Sequence, residues 1–443
     1  MKNPPHKKTN AFNERPGRTY MFGSISRRSL VAAAAATALS LAAVSASAQT
    51  PSGEPIKIGF GMSLTGPLAA NGKSALLAMK IWEEDTNAKG GLLGRPVKLV
   101  YYDDQTNPSS VPGLYTKLID VDKVDLVIGG YATNMLAPAM PLMMQKKMTF
   151  IGLYGLGVNS EFNYDRFFVM MPTGQDPKRA LSRGFFDLAM KQDPKPTTVA
   201  IVAADAEFSK NAADGARENA KAAGLKIVYD RSYPPSTTDY APIVRAIQAV
   251  NPDIVFVGSY PLDSVGIIRA ASEIGLKPKM FGGSMVGLQA TTFKTQLGPL
   301  LNGVIMYDFW QPTPQLSTPE SLEMLKKYQA RAGAEGVDPL GYYMAPYGYA
   351  YIELLGKAVE GTKSLDQGKI ADYIRNTTHQ LIVGEVKFGK GGEWADERVV
   401  HVQFQNITGN GIDQFRDVSK QVVVAPPAYE SGKLIYPYEK AKQ

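Results

Sequence analysis

Few residues in this chain are spaced for catalysis. Gly66-Pro67-Leu68-Ala69-Ala70-Asn71-Gly72-Lys73-Ser74 comes near to a phosphate-cradling loop, but five residues separate its glycines where that loop has four, which displaces the nest of amides. Asp103 and Asp104 are paired carboxylates, yet neighbouring strand residues point to opposite faces, so a turn and cap role fits better than acid/base work. His379 and His401 stand 22 positions apart with no acid in metal-ligand spacing, as strand or surface histidines do. With no Cys there is no thiolate nucleophile, thiolate ligand or disulfide, and no Gly-x-Ser-x-Gly marks a hydrolase. The chemistry these residues can do is binding. Gly129-Gly130-Tyr131-Ala132-Thr133-Asn134 follows an apolar run and offers Thr133 or Asn134 as a helix cap. Free amides there suit a carboxylate, with a plain helix cap as the alternative. No cofactor or metal is called for.

The elements that would position such a loop alternate along the chain. Short β-type runs at 56–60, 97–102, 126–128, 149–153, 199–203, 226–229, 254–257 and 280–282 are separated by amphipathic helices. Ala75, Ala78, Met79 and Trp82 fall at i, i+3, i+4, i+7, as do Ile243, Ala246, Ile247, Val250 and Ile267, Ala270, Ala271, Ile274. The fold class read from this is α/β, with two doubly wound Rossmann-like lobes. A further strand is expected at 304–310, helices at 319–334, 341–360 and 366–377, and a β-hairpin pairing 385–388 with 399–404 around Gly389-Lys390-Gly391-Gly392.

The formal charge of +7 belongs to the start of the chain. Residues 1–48 carry seven Lys/Arg against Glu14 alone; of the 48 basic and 41 acidic residues, 41 and 40 remain beyond them, a balance of +1. That excludes a polyanion-binding surface, and no nucleic-acid partner is expected. Ser26-Arg27-Arg28-Ser29-Leu30 opens an uncharged Ala-rich run that closes on Ala46-Ser47-Ala48, the pattern of an export signal cleaved after Ala48. The run is too short and too weakly apolar to span a bilayer. The paired arginines resemble a twin-arginine signal, the general secretory route stays open, and Met21 is an alternative start. A soluble, monomeric periplasmic protein is expected.

Ile56-Lys57-Ile58-Gly59-Phe60, then Ser63-Leu64-Thr65-Gly66-Pro67, Asn71-Gly72, Asn87-Ala88-Lys89-Gly90-Gly91, Gly94-Arg95 and Asp103-Asp104, resemble the leucine/isoleucine/valine-binding proteins of bacterial ABC importers, as does Asn251-Pro252-Asp253 before the 254–257 run. The resemblance implies a type I periplasmic binding fold whose lobes are joined by three crossings, expected near 171–174, 308–311 and 379–383. It divides the chain into 49–172 plus 308–378 as one lobe, 173–307 plus 379–425 as the other, and a tail from 426 to 443. It also implies a ligand in the cleft, a small carboxylate or amino acid delivered to a membrane permease, and no enzymatic activity. A sensory module for a membrane receptor, or a secreted hydrolase, is the alternative. By this resemblance the ligand-holding positions are Asn71, Tyr131, Ala132, Thr133, Asn134, Tyr154, Gly155, Phe208, Tyr260, Asp263 and Tyr343. Where amino-acid binders carry an acid for the ligand's ammonium, this chain has Leu262 or Asp263, and Tyr131, Tyr154, Phe208, Tyr260 and Tyr343 line an aromatic pocket. A branched-chain amino acid and an aromatic carboxylate both fit that description. Tyr347 and Tyr351, on one helical face with Tyr343, read as core.

Overall fold

The computed structural model describes residues 50–442 and Gly17. The expected leader and its cleavage site otherwise lie outside the described residues. Five strands build the first lobe: β1 (Ile56–Met62), β2 (Val97–Asp103), β3 (Leu126–Val127), β4 (Phe150–Gly152) and β5 (Phe167–Val169). They run parallel in two groups, β2-β1-β3 and β4-β5. Gly129 N–H donates to the Ile151 carbonyl (2.8 Å) and Tyr131 bridges Tyr154, which joins the groups into one surface.

The second lobe is a seven-stranded sheet. Its parallel part is β6 (Thr198–Ala204), β7 (Lys226–Tyr233), β8 (Ile254–Ser259), β9 (Met280–Met285) and β10 (Val304–Asp308). After β11 (His379–Leu381) and β12 (Gly384–Val386), a two-stranded ribbon of its own, β13 (Val400–Phe404) and β14 (Gln421–Ala425) complete it in the order β14-β13-β10-β9-β8-β6-β7. Helices cover both faces, so β8 and β9 are buried along their whole length and carry no charged residue. The edge strand β7 instead carries Lys226, Asp230 and Arg231, charges that discourage a further strand from pairing there.

Two expectations about the last third of the chain are corrected. The hairpin between 385–388 and 399–404 does not form. The glycine turn closes on itself through Phe388 and Trp394, the Gly392 carbonyl accepts from Val169 N–H (3.0 Å) at the edge of β5, and β13 pairs antiparallel with β10 and β14. Strand pairing depends on which edge is unsatisfied in space, and β10 offered one. The segment 379–383 is likewise no crossing: β11 and β12 pair with each other, and Leu381, Ile382, Val383 and Val386 pack in the first lobe's core. The chain changes sheets between Trp394 and Val400, where Thr173 bridges Glu397 beside the first crossing. The tail packs on the second lobe, with Tyr438 against Phe281 (5.5 Å between centroids) and Ile435 N–H donating to Gln403 Oε1 (2.8 Å).

Candidate ligand site

The cleft lies beyond the C-terminal ends of the parallel strands, where loops and helix starts converge. From β3 the chain turns through Gly129 and Gly130. A Cβ on Gly130 would sit 2.5 Å from the Gly61 carbonyl oxygen, so only glycine lets the loop run this close to β1. Ala132 follows at φ +81°, ψ +149°, a region essentially reserved for glycine that costs a non-glycine residue ~1–3 kcal/mol. Its strained backbone starts the turn Thr133–Leu136, whose first amides, those of Thr133 and Asn134, have no acceptor within the helix.

Tyr131, Ala132, Thr133 and Tyr154 from the first lobe face Phe208, Tyr260, Val286 and Tyr307 from the second. With Leu68, Met171 and Tyr343 they line a small cavity of about 20 Å³, room for about one water between the lobes as they stand, and no charged side chain lines it. Its polar groups are hydroxyls. Asn71 Nδ2 donates to Tyr131 OH (2.7 Å), the hydroxyls of Tyr307 and Tyr343 lie 3.1 Å apart, and Tyr154 OH donates to the Tyr343 carbonyl (3.2 Å). Burial pushes Tyr131 up to about 12 and Tyr154, Tyr307 and Tyr343 well above the ordinary phenol range. All four are therefore neutral, each with one proton, of which Tyr154's goes to the Tyr343 carbonyl and one of the Tyr307–Tyr343 pair's to the other hydroxyl. Thr133 Oγ1 accepts from Leu156 N–H (3.0 Å), which leaves its own proton free.

The other expected positions sit around this space. Asn71 borders a separate small cavity with Ser74 and Asp338, and reaches the ligand space only through Tyr131. Gly155 packs behind the wall, where a Cβ would fall 2.6 Å from Leu136 Cδ1. Asn134 spans the lobes: its Oδ1 accepts from Tyr260 OH (2.7 Å) and Phe208 N–H (3.4 Å). Asp263 faces away. Its Oδ2 accepts from Tyr233 OH (2.9 Å) and Tyr260 N–H (3.2 Å), capping the helix Pro261–Ile274, while Leu262 is 61% exposed. The remaining nearby acids are also committed. Asp104 accepts from Ser63 OH and Thr106 N–H, and Asp308, pushed up to about 6 by burial against the opposing pull of Lys294, accepts from Phe309 N–H.

Leu68, Met171, Val286 and Tyr307 line the cavity without having been singled out from sequence. For Tyr307 the signal was partial: it lies in the middle of the expected strand 304–310, and only the observed β10, ending at Asp308, puts it near the C-terminal end at which doubly wound sheets present ligands.

Two α/β lobes that face each other across a tyrosine-lined cavity define a fold of the type I periplasmic binding class. The chain belongs to the periplasmic binding protein family, whose sequence profile matches residues 55–406. It is 25% identical over 395 residues to the Leu/Ile/Val-binding protein homolog 8 of Brucella suis biovar 1 (strain 1330), covering 82% of this chain and 94% of that one. In fold it matches the branched-chain amino acid transporter substrate binding protein of Streptococcus pneumoniae, solved with isoleucine, at TM-score 0.67 and 18% identity over 87% of this chain and all of the other. A solute binding protein of an ABC transporter from R. palustris, solved with 4-hydroxybenzoate, matches at TM-score 0.67 and 18% identity over 88% of this chain and all of the other.

Proposed function

We propose that the protein is the exported binding component of an ABC importer and that its cargo is a small aromatic or apolar carboxylate without an α-ammonium group. The observation that carries this is the composition of the cavity wall: tyrosine and threonine hydroxyls donate, and no uncommitted acid is at hand. An ammonium enclosed there would lose its hydration without gaining a counter-charge, at a cost of several kcal/mol. A carboxylate finds the opposite situation, with Thr133 and the tyrosine hydroxyls at the cavity wall as its donors. The ring faces of Tyr131, Tyr154 and Phe208 receive the apolar body. The Ala132 strain is consistent with a backbone held in place for a ligand rather than for the fold.

Capture works by closure. Contacts from both lobes favour the closed state to the extent that they are absent from the open one. Besides Asn134, Asn211 Nδ2 of the second lobe donates to the Leu156 carbonyl of the first (2.8 Å). The loaded closed form is the species a membrane permease receives. The leader through Ala48 directs export to the periplasm and is removed there, and the protein acts as a monomer.

The test is a thermal-shift panel of matched acids: leucine against 4-methylpentanoate, phenylalanine against 3-phenylpropanoate, with benzoate and 4-hydroxybenzoate. Ligand at one hundred times Kd adds ~2.7 kcal/mol, a rise of a few degrees in Tm. The expected result is stabilisation by the acids that lack the amine. Stabilisation by the amino acids alone overturns the assignment.

A further inference from the structure

The loop 336–344 connects the helices Pro319–Glu335 and Ala345–Thr362, both packed on Ala69–Ala88 in the first lobe. It nevertheless reaches into the second. Leu340, 1% exposed, is part of the second lobe's core. Two residues earlier, the Asp338 carboxylate gathers four donors: Oδ2 accepts from Thr291 N–H (2.5 Å), and Oδ1 accepts from the Thr291 hydroxyl (2.8 Å) and the amides of Leu340 and Gly341 (2.9 Å each). Thr291 begins the second-lobe helix Thr291–Leu297, whose own N-cap residue, Ala290, has no side chain able to cap it. The cap comes from the other lobe. On its first-lobe side, Asp338 N–H donates to Ser74 Oγ (3.4 Å) in Ala69–Ala88.

The same loop delivers Tyr343 to the cavity. It turns at Gly341, φ +68°, where a Cβ would meet the Tyr328 ring at 2.4 Å, and Asp338 fixes the two amides at that turn. Asp338 is not itself among the residues lining the ligand space.

We infer that Asp338 is a positioning residue for capture, a non-covalent tie beside the three covalent crossings that holds the lobes closed without touching the ligand. The inference rests on the closing-lobe reading above. Because all the tie's partners are protein groups, it forms in the empty protein and sets the fraction of closed molecules before any ligand arrives. Apparent affinity scales with that fraction. Loss of the tie therefore weakens every ligand by the same factor, whereas loss of a cavity residue changes the ratios between ligands.

The chain has no Cys, so Val121→Cys in the first lobe and Val250→Cys in the second, exposed by 69% and 40%, admit a specific pair of spin labels. Pulsed dipolar spectroscopy then reads the lobe-to-lobe distance in ligand-free protein. The expected result is a closed population in the parent, with Asp338→Ala lowering its closed-to-open ratio roughly tenfold, the factor lost with a charge-assisted hydrogen bond. Thr291→Val lowers it less and adds little once Asp338 is gone, as partners in one interaction do. Asp338→Asn, which keeps one acceptor, falls between. An unchanged distribution in Asp338→Ala, or a parent with no closed population, overturns the inference. Should Asp338→Ala fail to fold, Thr291→Val decides alone, and an unchanged distribution there overturns it too. No ligand enters the measurement, so a protein that binds no carboxylate counts against the proposed function and leaves the tie to stand or fall on these distances.

Discussion

Burying an ionisable side chain without a partner ties stability to pH, and two residues near or beyond the crossings do this in opposite directions. His401, in β13, is 2% exposed with Nδ1 unpartnered among the described residues, and burial pushes it down to about 4. Its folded value lies below the ordinary ~6.5, so its contribution is complete above that pH and is lost as the pH falls towards 4, by about 3 kcal/mol. Glu393, 6% exposed, has neither oxygen partnered among the described residues, and burial holds it well above the usual carboxylate range. Its contribution is complete below the ordinary ~4.3 and is lost as the pH rises from there through its raised folded value. Denaturant titrations across pH should therefore show Glu393→Gln more stable than the parent at neutral pH and His401→Gln with a flatter acid limb. Unchanged profiles would contradict this account of both residues. Spacing put Tyr343, Tyr347 and Tyr351 on one face and the resemblance singled out Tyr343: Tyr347 and Tyr351 are fully buried on the core stripe, and Tyr343, at its start, faces the cavity. The orientation of Asp263 was not legible. The same carboxylate three residues into a helix can turn inward as a cap or outward to a ligand, and Tyr233, thirty positions away, selects the first.

Packing between elements shows most sharply where two helices touch through a glycine. Gly215, in Glu207–Ala222, faces Pro177–Met190, and a Cβ there would lie 1.9 Å from the Lys178 carbonyl oxygen. Gly215→Ala should force the helices apart at a cost of ~1–3 kcal/mol and lower the melting temperature. Gly333, in Pro319–Glu335, has nothing within 4 Å of its Cβ position, so Gly333→Ala should raise stability by about 0.5–1 kcal/mol through helix propensity alone. Equal effects of the two substitutions in thermal melts would show that contact distance does not govern them. The expected stripe Ala75, Ala78, Met79 and Trp82 is buried as its period requires, and the eight early strands fall where apolar runs stand between helices. Strands β5 and β11 were not read from the sequence, and neither was the pairing of β13, since an alternating segment carries no record of which edge will be open to it.

For the whole molecule, sequence order was more informative than composition. The net charge is concentrated in the first 48 residues, and the alternation of strands and helices pointed to two α/β lobes with mostly parallel sheets, which the family match and the observed topology bear out. The third crossing was expected at 379–383 from the family resemblance alone, and only the core that β11 and β12 join reveals the lobe they belong to. Among the described residues no helix is long and apolar enough to cross a membrane. The central claim is that the cleft recognises a carboxylate and has no place for an ammonium. Calorimetric titration of the protein with 4-methylpentanoate and with leucine, which differ only in the α-amino group, tests it most directly. The account predicts that 4-methylpentanoate binds at least ~10-fold more tightly, a difference of ~1.4 kcal/mol or more. Tighter binding of leucine would contradict it.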